Sequence, residues 1–225
     1  MKNSKRAANR KVKKMNKQTT NWIAISWIVG GAVLIALALI FLPKLLTTND
    51  EVSLGLNNII VPDPVTGVVT NGLTIGDPDA PAKLVEFADF QCPACKNFAL
   101  QIEPTLITNY VKTGRLSFTF VPFSFIDEYS KNNSRESKAA AEAAYCASDQ
   151  GRFWDYYNIL FANQEGENIG SYSTERLYAF AEKINLDTTV FKSCFDSGKY
   201  KQKVLDDRTY AQSLGLDSTP SFSLN

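Results

Sequence analysis

The chain has 225 residues, of which 44% are hydrophobic and 12% aromatic. This composition supplies the core of one medium-sized domain and excludes a disordered chain. The formal net charge of +1 conceals an uneven distribution: residues 1–20 hold eight of the 24 basic residues and no acidic residue, whereas the rest of the chain holds 16 basic and 23 acidic residues.

The basic N-terminus leads directly into an uncharged apolar stretch at residues 22–42. A basic arm can bind nucleic acid or anionic lipid, and its position beside this stretch favours the lipid bilayer and no nucleic acid. In a helix these 21 residues span roughly 30 Å, the thickness of the hydrocarbon core. Because Lys and Arg accumulate on the cytoplasmic side of a span, we predict a basic cytoplasmic segment at residues 1–21, one transmembrane helix at residues 22–42 and an extracytoplasmic remainder.

A cleaved signal peptide is the alternative interpretation of this stretch. Residues 36–38, Ala-Leu-Ala, resemble a small-residue cleavage site, but they lie inside an apolar run that is longer than the roughly 7 to 15 residues of a signal peptide. We favour an uncleaved signal-anchor that holds the protein in the cell membrane. In either case the domain that follows is exported.

Residues 43–71 are predicted to be a linker with room for one strand, because they combine polar runs and prolines with only short apolar segments. From residue 72 onward, the sequence patterns that indicate strands, turns and helices become more frequent. Residues 83–90 predict a largely apolar strand, a helix with a kink at Pro104 follows, and residues 115–121 predict a second strand, which gives a β-α-β order. Further helices are predicted at residues 132–150, 152–163, 174–184, 188–197 and 201–214.

The motif Cys92-Pro93-Ala94-Cys95 directly follows the first of these strands. It places two thiols one helical turn apart, with Cys92 at the N-terminus of the helix, where unpaired N–H groups and the helix dipole stabilise a thiolate. We predict that Cys92 attacks and that Cys95 resolves. A static disulfide and half of a zinc site are the alternatives, but zinc would require a second close pair, and the chain has no histidine. We therefore predict a redox pair that needs no metal and no cofactor.

Residues 85–95, Val-Glu-Phe-Ala-Asp-Phe-Gln-Cys-Pro-Ala-Cys, resemble the active-site segment of DsbA-like thiol:disulfide oxidoreductases, a family of the thioredoxin-like superfamily. The resemblance extends over residues 72–225. It implies an α/β protein with a thioredoxin-like fold and a helical insertion at about residues 132–200. It also implies an enzyme, a thiol:disulfide oxidoreductase of the protein disulfide oxidase type.

The resemblance implies roles for residues outside the motif. Thr219 and Pro220 stand where the family has its cis-proline loop, which positions the substrate; an ordinary trans turn is the alternative. Glu86 aligns with a buried acid that assists proton transfer to and from the cysteines, and a surface glutamate that reaches water is the alternative. Cys146 and Cys194 are expected to form a structural disulfide, with two separately buried free cysteines as the alternative.

Two features depart from the family pattern. Ala94 occupies the position of a histidine that stabilises the reduced thiolate in the most strongly oxidising relatives, so the sequence leaves the redox potential open. Relatives continue beyond the cis-proline strand with another strand and a helix, whereas only residues 221–225 follow here. We therefore expect a C-terminally truncated chain or a lost sheet edge, which exposes backbone groups to association.

The predicted function is oxidation of cysteine pairs in exported proteins by thiol-disulfide exchange outside the cytoplasm. The family resemblance implies a further partner, a quinone-linked membrane protein that reoxidises the cysteine pair. Two alternatives remain: a disulfide reductase or isomerase that uses the same pair, and a redox-inert chaperone or adaptor that binds unfolded exported chains.

Overall fold

The computed structural model describes Trp27 and residues 55–225. The predicted cytoplasmic segment lies outside the described residues, and so does the predicted transmembrane helix apart from Trp27. Within the part of the chain that is described, no helix is long and apolar enough to cross a bilayer.

The strands and helices follow one another in a mixed order. The strands are β1 (Thr70–Asn71), β2 (Thr74–Ile75), β3 (Ala82–Ala88), β4 (Leu116–Pro122) and β5 (Ser221–Leu224). The α-helices are α1 (Pro93–Asn97), α2 (Glu103–Leu106), α3 (Glu136–Ser148), α4 (Phe153–Ala162), α5 (Thr174–Lys183), α6 (Thr188–Asp196) and α7 (Lys201–Ser213). Short 3-10 turns lie at Leu56–Asn58 and Ile126–Tyr129. The result is a thioredoxin-like α/β fold with a helical insertion between β4 and β5.

The five strands form one sheet in the order β1-β2-β4-β3-β5. Strands β3 and β4 are parallel, as the β-α-β order requires, and the other pairs are antiparallel. In this register Glu86 of β3 lies between Phe120 of β4 and Phe222 of β5. Glu86 is therefore on a strand with neighbours on both sides, not at a sheet edge.

Side chains of β3 alternate between the two faces of the sheet. Phe87 points to the face covered by α7, where it packs in a small cluster with Phe123 and Ala211. Ala88 points to the opposite face and belongs to the larger core, which includes both active-site cysteines and the helical insertion. The alternation places Glu86 on the same face as Ala88, among the residues of the larger core.

A continuous helical run from residue 93 to residue 111 connects β3 to β4. It consists of α1, a π-helical turn at Phe98–Ile102, α2 and a second π-helical turn at Ile107–Val111. Pro104 has no N–H, and its ring excludes the carbonyl group four residues earlier. The predicted kink takes the form of wider turns, in which the N–H of Glu103 bonds to the carbonyl of Phe98.

The segment before β1 lies against the helical insertion. The side chain of Asn163 accepts a hydrogen bond from the N–H of Ile60 at 2.8 Å and donates one to its carbonyl at 2.7 Å. Asp155 of α4 accepts a hydrogen bond from the N–H of Val65 at 2.8 Å. Part of the segment predicted as a linker is therefore bound to the domain.

Cys146 of α3 and Cys194 of α6, which are 48 positions apart along the chain, form a disulfide with their Cα atoms 5.9 Å apart. Closing a loop of this size restricts the unfolded chain and stabilises the folded state by roughly 3 to 4 kcal/mol. We expect the double variant Cys146→Ala/Cys194→Ala to lose about that much free energy of unfolding.

Urea unfolding of the wild type and the double variant, both with Cys92 and Cys95 oxidised, measures this loss. An unchanged midpoint at an unchanged slope would show that the disulfide adds nothing to stability. Thiol-disulfide exchange at the active site should be nearly the same in both proteins, because Cys146 and Cys194 lie in the insertion.

Candidate active site

Cys92 and Cys95 occupy the first turn of the helical run, and both are free thiols. Cys92 is the N-cap of α1, and its Sγ accepts a hydrogen bond from the N–H of Cys95 at 3.4 Å. Pro93 follows as the first residue of the helix, where the N–H that it lacks would have no partner. Cys92 keeps 6% of its surface exposed, whereas Cys95 keeps none. Only Cys92 can meet a substrate directly.

The two thiols differ in acidity. A hydrogen bond from the Cys95 thiol lowers the pKa of Cys92 to about 6, with smaller contributions from Thr219 and from the backbone N–H groups of Cys95 and Ala94. Burial opposes this effect without cancelling it. Burial, and then the neighbouring Cys92, raise the pKa of Cys95 far above its ordinary value. At neutral pH Cys92 is therefore mostly a nucleophilic thiolate and Cys95 a thiol.

The loop before β5 lies beside the cysteine pair. The peptide bond between Thr219 and Pro220 is cis. In its protonated form the thiol of Cys92 donates a hydrogen bond to the carbonyl of Thr219, with the sulfur 3.4 Å from the oxygen. The structure thus brings the Cys92 and Cys95 pair together with Thr219 and Pro220, which lie more than 120 positions later in the sequence.

Asp89, which the sequence analysis did not single out, holds the turn between β3 and the motif. Its carboxylate accepts hydrogen bonds from the N–H groups of Gln91 and Phe125, both at 2.9 Å, and of Ile126 at 3.0 Å. Burial raises the pKa of Asp89 to about 6, against the effect of these hydrogen bonds. Asp89 therefore ties the approach to Cys92 to the loop that follows β4.

The helical insertion positions the backbone around Cys92. The side-chain amide of Gln164 donates to the carbonyl of Phe90 at 2.7 Å and to the carbonyl of Cys92 at 2.9 Å. The hydroxyl of Tyr172 also donates to the carbonyl of Phe90, at 2.9 Å. The sequence gives no local sign of these contacts, since each joins residues more than 70 positions apart.

Glu86 is fully buried, and neither carboxyl oxygen has a hydrogen-bond partner among the residues that the structure describes. Burial raises its pKa well above the ordinary value, and the charges of Glu103 and Cys92 raise it further. Glu86 shares a face of β3 with Ala88, and that face covers the core that contains the cysteine pair. Glu86 is thus a buried acid and not a surface glutamate.

The arrangement is suited to thiol-disulfide exchange, which needs an accessible thiolate and a second thiol one turn away. Within the described ranges, no group of three or more His, Cys, Asp or Glu residues is arranged to hold a metal ion. Cys146 and Cys194 are already joined to each other, and so only Cys92 and Cys95 are free to exchange.

A family model and several known proteins match most of the domain that contains the cysteine pair. A family model described as thioredoxin matches residues 69–225. The probable disulfide bond formation protein D of Bacillus anthracis is 34% identical over 155 residues, which cover 68% of this chain and 69% of that protein. The disulfide bond formation protein D of Bacillus subtilis (strain 168) is 29% identical over 154 residues, which cover 67% of this chain and 66% of that protein. The crystal structure of oxidised BdbD from Bacillus subtilis aligns with a TM-score of 0.61 at 26% identity, covering 73% of this chain and 88% of that one.

Proposed function

The chain belongs to the thioredoxin family and is a thiol:disulfide oxidoreductase, and on this premise we propose that it oxidises cysteine pairs of exported proteins through Cys92 and Cys95. The observation that carries the proposal is the acidity of Cys92 beside a buried Cys95. A thiolate that is stabilised in the reduced protein is a good leaving group, and this favours the transfer of the disulfide to a substrate.

The reaction begins with the oxidised protein, in which Cys92 and Cys95 share a disulfide. A substrate thiolate attacks the sulfur of Cys92, the bond between the two cysteines breaks, and Cys95 leaves and takes up a proton. A second substrate thiolate then attacks the substrate sulfur of the mixed disulfide, and Cys92 leaves as a thiolate. The substrate loses two electrons and gains a disulfide, and the protein gains the two electrons.

Thr219, Pro220 and Glu86 complete the proposed site. The carbonyl of Thr219 lies 3.4 Å from the sulfur of Cys92, so the loop with Pro220 borders the position of an incoming substrate. Glu86 supplies and accepts the proton of Cys95, because it is a buried acid with a raised pKa near the pair. The remaining motif residues, Pro93 and Ala94, shape the first turn of α1.

The proposed location is the outer side of the cell membrane, with residues 22–42 as a single-pass anchor in the lipid bilayer and residues 1–21 in the cytoplasm. The uneven charge around the apolar stretch supports this topology. The names of the Bacillus relatives, disulfide bond formation protein D, support oxidation as the net direction. Continued turnover requires a reoxidant, for which we propose a quinone-linked membrane protein.

The reduction potential of the Cys92 and Cys95 pair tests the direction of electron flow. Equilibration of the full chain with glutathione buffers, followed by alkylation of free thiols, should give a value closer to about −120 mV than to about −270 mV. A value near the lower figure would instead identify a reductant. Failure to reach a defined exchange equilibrium would identify a redox-inert adaptor.

A further inference from the structure

A second buried carboxyl group lies near Glu86. Glu103, the first residue of α2, keeps 6% of its surface exposed and accepts a hydrogen bond from the hydroxyl of Tyr157 at 2.5 Å. Phe120, the neighbour of Glu86 on β4, has its ring 5.1 Å from the ring of Tyr157, although no hydrogen bond joins Tyr157 to Glu86 in this structure. Tyr157 therefore contacts Glu103 and packs against the strand neighbour of Glu86.

Cys95 belongs to the same core as Tyr157 and has no exposed surface. A charge on Cys95 acts on the hydroxyl of Tyr157, as do charges on Glu103 and Glu86. A proton that enters or leaves Cys95 during catalysis therefore has no direct contact with solvent. It must travel through neighbouring groups in the interior.

Glu103 connects this interior to a cavity of about 280 Å³, of which it forms part of the lining. The exposed residues Asp63 and Lys112 line the same cavity, so it reaches the surface. The buried Trp154 also lines it, and the indole N–H of Trp154 has no partner in the described part of the chain. A cavity of this size with polar groups in its wall can hold several water molecules.

We propose that Glu103 and Tyr157 pass protons between Glu86 and this cavity, so that Cys95 exchanges its proton with solvent by an internal route. The inference rests on the proposed function, in which Glu86 exchanges a proton with Cys95. Glu103 first releases its proton to water in the cavity, and Tyr157 then gives its hydroxyl proton to Glu103 while its oxygen accepts the proton of Glu86. The Glu86 carboxylate that this leaves takes the proton of Cys95. No electrons move in these steps.

The groups around Glu103 determine when it holds a proton. Burial raises its pKa to about 8, although the hydrogen bond from Tyr157 lowers it. Tyr157 of α4 donates a hydrogen bond to Glu103, and Asp63 and Lys112 line the cavity that Glu103 borders. Cys92, the N-cap of α1, acts on Glu86 through its charge, and Cys95 acts on Tyr157. The rate of proton transfer through Glu103 should therefore change near pH 8.

A single-turnover experiment on the full chain isolates the step that needs the relay. The reduced protein is mixed with excess oxidised glutathione, which forms a mixed disulfide with Cys92. Cys95 must then lose its proton to expel the glutathione. Acid quenching and mass spectrometry give the rate of expulsion between pH 5 and pH 9, and in the wild type this rate should rise through a midpoint near pH 8.

Two variants should slow the expulsion, because each removes a group through which the proton passes. Glu103→Gln has no titrating carboxyl and should lose the rise near pH 8, with a rate at pH 9 about 10²-fold below that of the wild type. Tyr157→Phe has no hydroxyl and should slow expulsion at pH 9 by a similar factor. Tyr156→Phe is the matched control, because Tyr156 is equally buried but donates to the carbonyl of Leu177. It should leave the rate of expulsion unchanged.

Slower expulsion in both variants would support the relay, whereas an unchanged rate, or the faster expulsion in Glu103→Gln that is expected if its charge alone matters, would overturn it. Glu86→Gln separates this inference from the proposed function. If Glu86→Gln slows expulsion while Glu103→Gln and Tyr157→Phe leave the profile unchanged, Glu86 keeps its role and the relay is wrong. If Glu86→Gln has no effect, the proton-transfer role of Glu86 fails as well. Folding is checked by circular dichroism at pH 5, where the protonated Glu103 and a glutamine are nearly isosteric.

Discussion

Replacing Cys92 by serine is expected to abolish thiol-disulfide exchange, with a loss of at least about 10³-fold in rate. The thiolate of Cys92 is the attacking group, and a serine hydroxyl neither ionises at neutral pH nor forms a disulfide. Cys95 cannot take its place, because it is fully buried and its pKa is raised by that burial. The rate is measured on a peptide with two cysteines, by the disappearance of free thiol.

Replacing Cys95 by serine should have a different result, which serves as the matched comparison. Cys92 remains a thiolate in this variant and still attacks a disulfide, but the mixed disulfide cannot be resolved and should accumulate. Mass spectrometry after addition of oxidised glutathione detects the trapped species. Retention of exchange activity in Cys92→Ser would exclude the proposed mechanism, and retention of binding to unfolded chains without exchange would favour the adaptor.

Much of the fold could be predicted because its longer elements have clear periodicity. The strand predicted at residues 83–90 is Ala82–Ala88, and the helix predicted at residues 132–150 is Glu136–Ser148. The sequence leaves room for one unplaced strand in the linker and predicts no strand at Thr74–Ile75; the structure has strands at Thr70–Asn71 and Thr74–Ile75. Two residues are too few to show an alternating pattern, and these strands exist because β2 pairs with β4.

The site was predictable where its chemistry is local in the sequence. The spacing of two cysteines one helical turn apart is sufficient to predict that they form a pair. Gln164 and Glu103 gave no such signal, because their roles depend on contacts across the fold: Gln164 holds the carbonyl of Cys92, and Glu103 meets Tyr157 of α4. A glutamate in a helix is usually solvated, and only the packing of α4 against the helical run makes this one buried.

Glu103 should also make the stability of the protein depend on pH. Burial raises its pKa from 4.5 to about 8, so the folded protein keeps a proton that the unfolded chain releases above about pH 4.5. The stability that this proton contributes is fully present below pH 4.5 and is lost as the pH rises through 8. Since one pKa unit corresponds to about 1.4 kcal/mol, the loss is at most about 5 kcal/mol.

Glu103→Gln should remove this dependence, because glutamine resembles the protonated acid and does not titrate. Urea unfolding of the oxidised proteins should give similar stabilities at pH 4.5, and at pH 9 the variant should be the more stable by up to about 5 kcal/mol. Glu86, whose pKa is also raised, remains in both proteins, and oxidation prevents Cys92 from titrating. Equal stabilities at both pH values would show that Glu103 does not hold a proton in the folded state. A gain in stability at high pH would mean that Glu103 destabilises the core of the wild type once it is ionised. Residues that are needed for activity often reduce stability in this way, as we expect of a residue that moves protons.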